Sequence, residues 1–268
     1  MSVSRLRRKV VDMQIDWAIV KKETLWTYEE LIQRILDAMS YEIVSKHYNH
    51  SMKEAANYAV RLFMNRPKYT DNTKKLTEVF SNIENSGIHS YSDLMHQAES
   101  KERCVELLRK TKLPFKDLVL VLNHVFRWVL PHKLYLRELI DTEDETEKHY
   151  VEILRQPDIK FNLDILEHGW SKKGRKTLSQ ETGIPEDFIL SLVNKADMSR
   201  LPYSNRKTVK HLCLGGYNSI EKLARTDPSE MIKDMESYFR RLGVRPAGFI
   251  DLKGIAQWAK TIPKIVET

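Results

Sequence analysis

Two runs of basic residues are the part of this chain best suited to chemistry. Between Glu167 and Glu181 stand Lys172, Lys173, Arg175 and Lys176, with no acid among them. Between Asp197 and Glu221 stand Arg200, Arg206, Lys207, Lys210 and His211, again with no acid. Both runs fall at or near predicted helix starts, where a cation opposes the helix dipole unless a partner needs it there. A phosphate supplies such a need, because a helix N-terminus also turns free amides toward its oxygens. A solvated basic face is the other reading of the same residues. Trp170 and Tyr203 lie in turns beside the runs, where a ring can stack on a base. Trp128 sits in an apolar stretch and reads as core.

Other reactive residues gather less well. His47 and His50 flank Tyr48 and Asn49, but no third metal ligand lies at useful spacing; they read as a loop pair bonded to water or caps. Residues 141–147 hold five acids without the Asp-x-Asp-x-Asp-Gly pattern of a calcium loop. They read as a solvated helix start, since acids suit the positive end of the dipole. Cys104 and Cys213 are far apart and lack ligand spacing, so both are expected as buried thiols. There is no Gly-x-x-x-x-Gly-Lys, no His-Glu-x-x-His and no nucleophile elbow. The expectation is a protein that is not an enzyme and has no cofactor or metal site.

The elements that would position the basic runs are helical. In 268 residues, 30% are charged and 41% hydrophobic, with only nine Gly and nine Pro, which suits a helix-rich globular chain rather than a disordered one. The net charge of +7 favours acidic partners. No apolar run approaches the roughly 18 residues of a membrane span, and no signal-peptide core opens the chain. No membrane partner and a cytoplasmic location are therefore expected. Arg5, Arg7, Arg8 and Lys9 open the chain ahead of Val10, Val11, Met13, Ile15, Trp17 and Ile19. This is either a first helix with a solvated basic end or an arm that touches phosphate.

Thr27-Tyr-Glu-Glu30 and Ser51-Met-Lys-Glu54 are capping boxes, each followed by apolar residues at helical spacing. Pro67 stops the second of these helices near Asn65 and Arg66. A third is predicted from Asn72 to Asn85, ending at Gly87. From Asp93 the chain begins to repeat itself. A shift of 71 residues pairs Asp93 with Asp164, Ser100 with Ser171, Lys101 with Lys172, Thr111 with Thr182, Pro114 with Pro185, Asn123 with Asn194 and Pro131 with Pro202. No gap is needed, which indicates an internal duplication. In each copy a proline opens a helix, Phe115 to Val129 or Glu186 to Lys195, and a second proline turns the chain after Leu130 or Leu201. Gly87-Ile-His-Ser90 and Gly216-Tyr-Asn-Ser219 share a second phrase, in which glycine ends one helix and serine starts the next. Gly243-Val244 is a weaker third occurrence.

Residues Arg200 to Tyr217 have the form of a helix-hairpin-helix. The order Thr182-Gly-Ile184, Leu192-Val-Asn194, Ala196-Asp197, Arg200-Leu201, Leu212, Gly216-Tyr217, Leu223-Ala224 and Asp227-Pro228 resembles an uncharacterised prokaryotic family of tandem helix-hairpin-helix domains, a domain of unknown function. The likeness covers about residues 160–235, with 87–131 as a degraded copy. It implies a compact helical fold and, by analogy with other helix-hairpin-helix proteins, DNA binding through backbone contacts without sequence specificity. The chain departs from the family at the hairpin, with Tyr203-Ser204-Asn205 in place of Gly-Val-Gly. Lost glycines restrict close approach to a phosphate, while Ser204 and Asn205 can still cap the next helix.

The expected fold is all-α and multi-helical, with duplicated helix-hairpin-helix-like modules and an N-terminal helical bundle. Its segments are 1–86, a helical region; 87–140, a degenerate module; 141–157, an acidic connecting helix; and 158–268, a second module with C-terminal helices. The expected contacts to nucleic acid are Lys172, Lys173, Arg175, Lys176, Arg200, Tyr203, Ser204, Asn205, Arg206, Lys207 and Lys210. The alternative is a protein-interaction scaffold in which the hairpins are purely structural.

Overall fold

The computed structural model describes residues 15–243 and 251–267. Arg5, Arg7, Arg8, Lys9, Val244 and Arg245 lie outside the described residues. Sixteen α-helices and no strand are found among those that are described. In order they are α1 (Ala18–Thr24), α2 (Tyr28–Met39), α3 (Glu42–Tyr48), α4 (Met52–Leu62) and α5 (Thr70–Asn85). Then follow α6 (Tyr91–Ala98), α7 (Lys101–Thr111), α8 (Phe115–His124), α9 (Glu145–Leu154), α10 (Asn162–Gly169) and α11 (Lys172–Thr182). The last five are α12 (Glu186–Met198), α13 (Arg206–Leu214), α14 (Ile220–Arg225), α15 (Pro228–Arg241) and α16 (Leu252–Thr261). The fold is all-α.

Local chemistry sets most of these boundaries. Both capping boxes form: Thr27 and Ser51 each accept from the backbone three residues on, and Glu30 and Glu54 accept in return. α4 ends at Leu62, a few residues before the predicted stop, and Asn65 takes a left-handed φ of 61° in the turn ahead of Pro67. Gly87 (φ 81°) and Gly216 (φ 91°) supply the left-handed turns that hand over to the serine caps Ser90 and Ser219. Asp144 caps α9, so the acidic stretch does start a helix.

The 71-residue register is visible in the helix boundaries. Shifted by that amount, α6 and α7 coincide end to end with α10 and α11, and α8 starts where α12 starts. Lys112 and Gly183 are both left-handed at the same point of the register. The packing differs, however. α6 rests on α7 as α10 rests on α11, but α10 also lies broadly against α12, whereas α6 meets α2. α8 also gives way to a π-helical turn at Val125–Val129, while α12 runs on to Met198.

One apolar core runs from Val20 to Ile265 through all four predicted segments. The last helix closes it against the first bundle. In α16, the Trp258 indole donates to the Leu62 carbonyl (3.2 Å) and Gln257 donates to that of Arg61 (3.0 Å). Arg66 pairs with Asp251 at the same seam. No helix among the described residues is long and apolar enough to cross a membrane.

Candidate nucleic-acid interface

The first basic run forms the elbow between α10 and α11. Ser171 caps α11, its hydroxyl accepting from the Gly174 amide at 3.0 Å. Gly174 is required by close approach: a Cβ there would lie 2.1 Å from the His168 carbonyl oxygen, so the two helices meet more tightly than a side chain allows. Lys172, Lys173 and Lys176 are exposed on the first turns of α11. Arg175 is not. It is 3% exposed, and it donates to the carbonyls of Gly169 (3.1 Å), Trp170 (3.2 Å) and Glu267 (3.0 Å). The expectation that it contacts phosphate is corrected: its guanidinium satisfies carbonyls left open where α10 ends.

The second run surrounds the turn between α12 and α13. The helix-hairpin-helix form expected over Arg200 to Tyr217 lacks its first helix within those bounds: α12 stops at Met198, residues 199–205 turn, and α13 begins at Arg206. Asn205 caps α13 by accepting from the Thr208 amide at 3.1 Å, and Arg206, Lys207 and Lys210 are exposed beyond it. His211, one turn further, is held below the ordinary imidazole value by burial first and then by Lys210 and Lys207. Tyr203 takes φ 57°, the left-handed conformation a glycine would adopt more cheaply. Its exposed ring packs edge-on to Trp128, with centroids 4.6 Å apart. Ser204 is almost wholly buried and its hydroxyl meets no hydrogen-bond partner, so it neither caps α13 nor faces a ligand.

The expectation that Arg200 contacts nucleic acid is also corrected. It is 4% exposed and forms an ion pair with Asp197, also buried. Its guanidinium further donates to the Tyr48 hydroxyl and to the Pro263 carbonyl (3.0 Å). One side chain thus ties α3, the end of α12 and the segment after α16 together. Burial pushes the Asp197 carboxyl up, and Arg200 pulls it back.

The segment after α16 also relates the two corners. Pro263 accepts from Arg200 at the second, while Glu267 donates its amide to the Trp170 carbonyl (2.8 Å) at the first. Four residues span at most about 14 Å, so one short segment reaches both the Trp170 carbonyl of the first corner and the buried Arg200 guanidinium of the second. Each corner is also touched by acids. The Glu267 carboxylate accepts from the Lys172 amide at 3.0 Å. At the second corner Asp141 lies 3.8 Å from the Lys210 ammonium, Glu147 lies 3.6 Å from Lys195, and Thr142 accepts from Arg206 at 3.0 Å.

Comparison with known proteins singles out this half of the chain. Residues 144–262 match a domain of unknown function, DUF4332. The match runs from the cap of α9 to the residue after α16. It holds both basic corners and the Asp197–Arg200 pair, and it includes residues 160–235, where an uncharacterised domain was expected. Residues 87–131 lie outside it. No curated protein and no solved structure matches the chain.

The remaining candidates fall outside the two corners or into the core. His47 lies in the last turn of α3, not in a loop. His50 is largely buried between Tyr58 and Tyr91, with ring centroids 5.0 and 5.9 Å away. Among the described residues no group of three or more His, Cys, Asp or Glu could hold a metal ion. Trp128 is 8% exposed and packs in the core as expected, whereas Trp170 is 37% exposed, with Lys46 over its ring. Sequence reasoning missed Glu267 and the facing of 141–147 onto α13. No periodicity could have signalled either, because both partners are distant in the chain.

Proposed function

We propose that the exposed cations of the two corners, Lys172, Lys173, Lys176, Arg206, Lys207 and Lys210, grip the phosphate backbone of DNA without reading its sequence. On this reading the protein performs no chemistry on the DNA. α12, the turn and α13 serve as a helix-hairpin-helix, and α6 to α8 are its diverged duplicate. One observation carries the reading. Among the described helices only α1, α11, α13 and α16 have no acid in the first turn, and of these α11 and α13 open on paired exposed cations, Lys172–Lys173 and Arg206–Lys207, where α16 has one, Lys253, and α1 none. Cations at a helix start cost stability, and a bound phosphate offsets that cost. Asn205 and Tyr203 frame the second corner, and Trp170 offers a partly exposed ring beside the first.

Affinity for a duplex of arbitrary sequence tests it. Lys172→Glu with Lys173→Glu is expected to weaken binding about 100-fold at ~50 mM salt, each reversed contact being worth about tenfold there. Both residues are exposed, so the fold is retained. Unchanged affinity in this variant would remove the first corner from the interface.

One observation favours a protein partner instead. Val60 and Met64 are about half exposed, and with Phe63, Thr73, Thr77 and Ser81 they line an open groove of about 840 Å³ between α4 and α5. A groove of this kind suits an apolar segment of another protein. It gains weight if the lysine reversals leave DNA affinity untouched.

A further inference from the structure

The acids that touch the two corners come from outside the helices that present the cations. Asp141 and Thr142 precede the matched domain, and Glu267 follows it. Asp141 and Glu267 therefore flank the stretch shared with DUF4332, and both reach back onto its basic ends. At the α11 corner the Glu267 carboxylate sits on the Lys172 amide, the position a phosphate oxygen would take at a helix start. At the α13 corner Asp141 and Glu147 stand beside Lys210 and Lys195. Glu147 also accepts from the Asp141 amide at 2.7 Å, which holds the acidic turn in place.

Resting on the DNA-binding reading above, we propose that these carboxylates are internal phosphate mimics that hold the interface in a weak-binding state until a polyanion displaces them. The geometry makes displacement cheap. The Glu267 backbone is anchored, because its carbonyl accepts from Arg175 and its amide donates to Trp170. Its side chain is exposed, so the carboxylate swings off the α11 amide by rotation alone, with Ile262 and Ile265 still buried. Asp141 is 52% exposed on its side chain and Lys210 47%; their 3.8 Å pair is screened by water and easily exchanged. A duplex brings many phosphates at once and so competes with both acids together. A single free phosphate cannot.

The test uses the full chain and a fluorescein-labelled DNA duplex at ~50 mM salt. Asp141→Asn, Glu147→Gln and Glu267→Gln are combined, which keeps side-chain shape and one acceptor oxygen at each position while removing the charge. Binding is expected to tighten by about tenfold or more, since the Lys172 amide and the Lys210 and Lys195 ammoniums each lose a competing carboxylate. Affinity within twofold of the parent, with Lys172→Glu/Lys173→Glu still weakening it, overturns the mimicry and leaves the interface standing. If neither the parent nor the neutralised variant binds, the DNA-binding reading fails and this inference falls with it. A readout by thermal melting keeps the two apart from misfolding: the isosteric variant should melt within a few degrees of the parent.

Discussion

The Arg200→Ala variant is expected to lose about 3–5 kcal/mol of folding stability, the usual cost of removing one partner from a buried ion pair. Asp197 would keep its burial and lose its counterion, and burial alone already pushes its carboxyl up. It would take up a proton or draw in water. The Tyr48 hydroxyl and the Pro263 carbonyl would each lose a donor in the same step. Urea unfolding of parent and variant measures the effect, read as a lower midpoint at constant slope. A loss under about 1 kcal/mol would mean that the pair is not buried as described and would return Arg200 to the exposed surface.

Acid is expected to weaken the protein through His124. This residue is 3% exposed, and neither ring nitrogen meets a hydrogen-bond partner. Burial holds its pKa down at about 3, well below the ordinary value near 6.5 of the unfolded chain. As pH falls, the unfolded state therefore binds the proton first. The stabilising contribution is complete above about pH 6.5 and is lost progressively as pH falls toward 3. At pH 4 the loss from this one ring amounts to roughly 3 kcal/mol. His50 and His132 are depressed by burial in the same direction and add to it. Carboxylates also weaken many folds in acid, so the comparison that isolates His124 is with His124→Phe. The ring already neighbours Phe63 and Phe80, and phenylalanine leaves no unpartnered nitrogen. The variant should match the parent at pH 7 within about 1 kcal/mol and lose less on going to pH 4. Parallel acid profiles for the two proteins would contradict the assignment.

Much of the fold was legible because local rules govern it. The hydroxyl-to-glutamate spacing at Thr27 and Ser51 marks two helix starts, and the glycine-to-serine phrases at Gly87 and Gly216 mark two handovers. The 71-residue register anticipates helix boundaries to the residue from Tyr91 to Phe115. The candidate site was legible only in part. Lys172, Lys173, Lys176, Arg206, Lys207 and Lys210 reach the surface, but Arg175 and Arg200 do not. Nothing within a few residues separates Arg175 from Lys176. What separates them is a set of carbonyls, one of them 92 residues away at Glu267, and for Arg200 a hydroxyl 152 residues away at Tyr48. Helical period gives a side chain's direction on its own helix, not which distant segment lies there. The same limit hid the acids at Asp141 and Glu267. At Tyr203 the backbone is left-handed, the conformation a glycine adopts most cheaply, and tyrosine takes it against Trp128.

The central proposal is that six surface cations on the two corners meet one polyanion, and the salt dependence of duplex binding tests it most directly. A plot of log K against log salt for the parent protein should be linear and steep, with a slope approaching about −5 if all six neutralise phosphates. A slope near zero, or no measurable binding at ~50 mM salt, would contradict it.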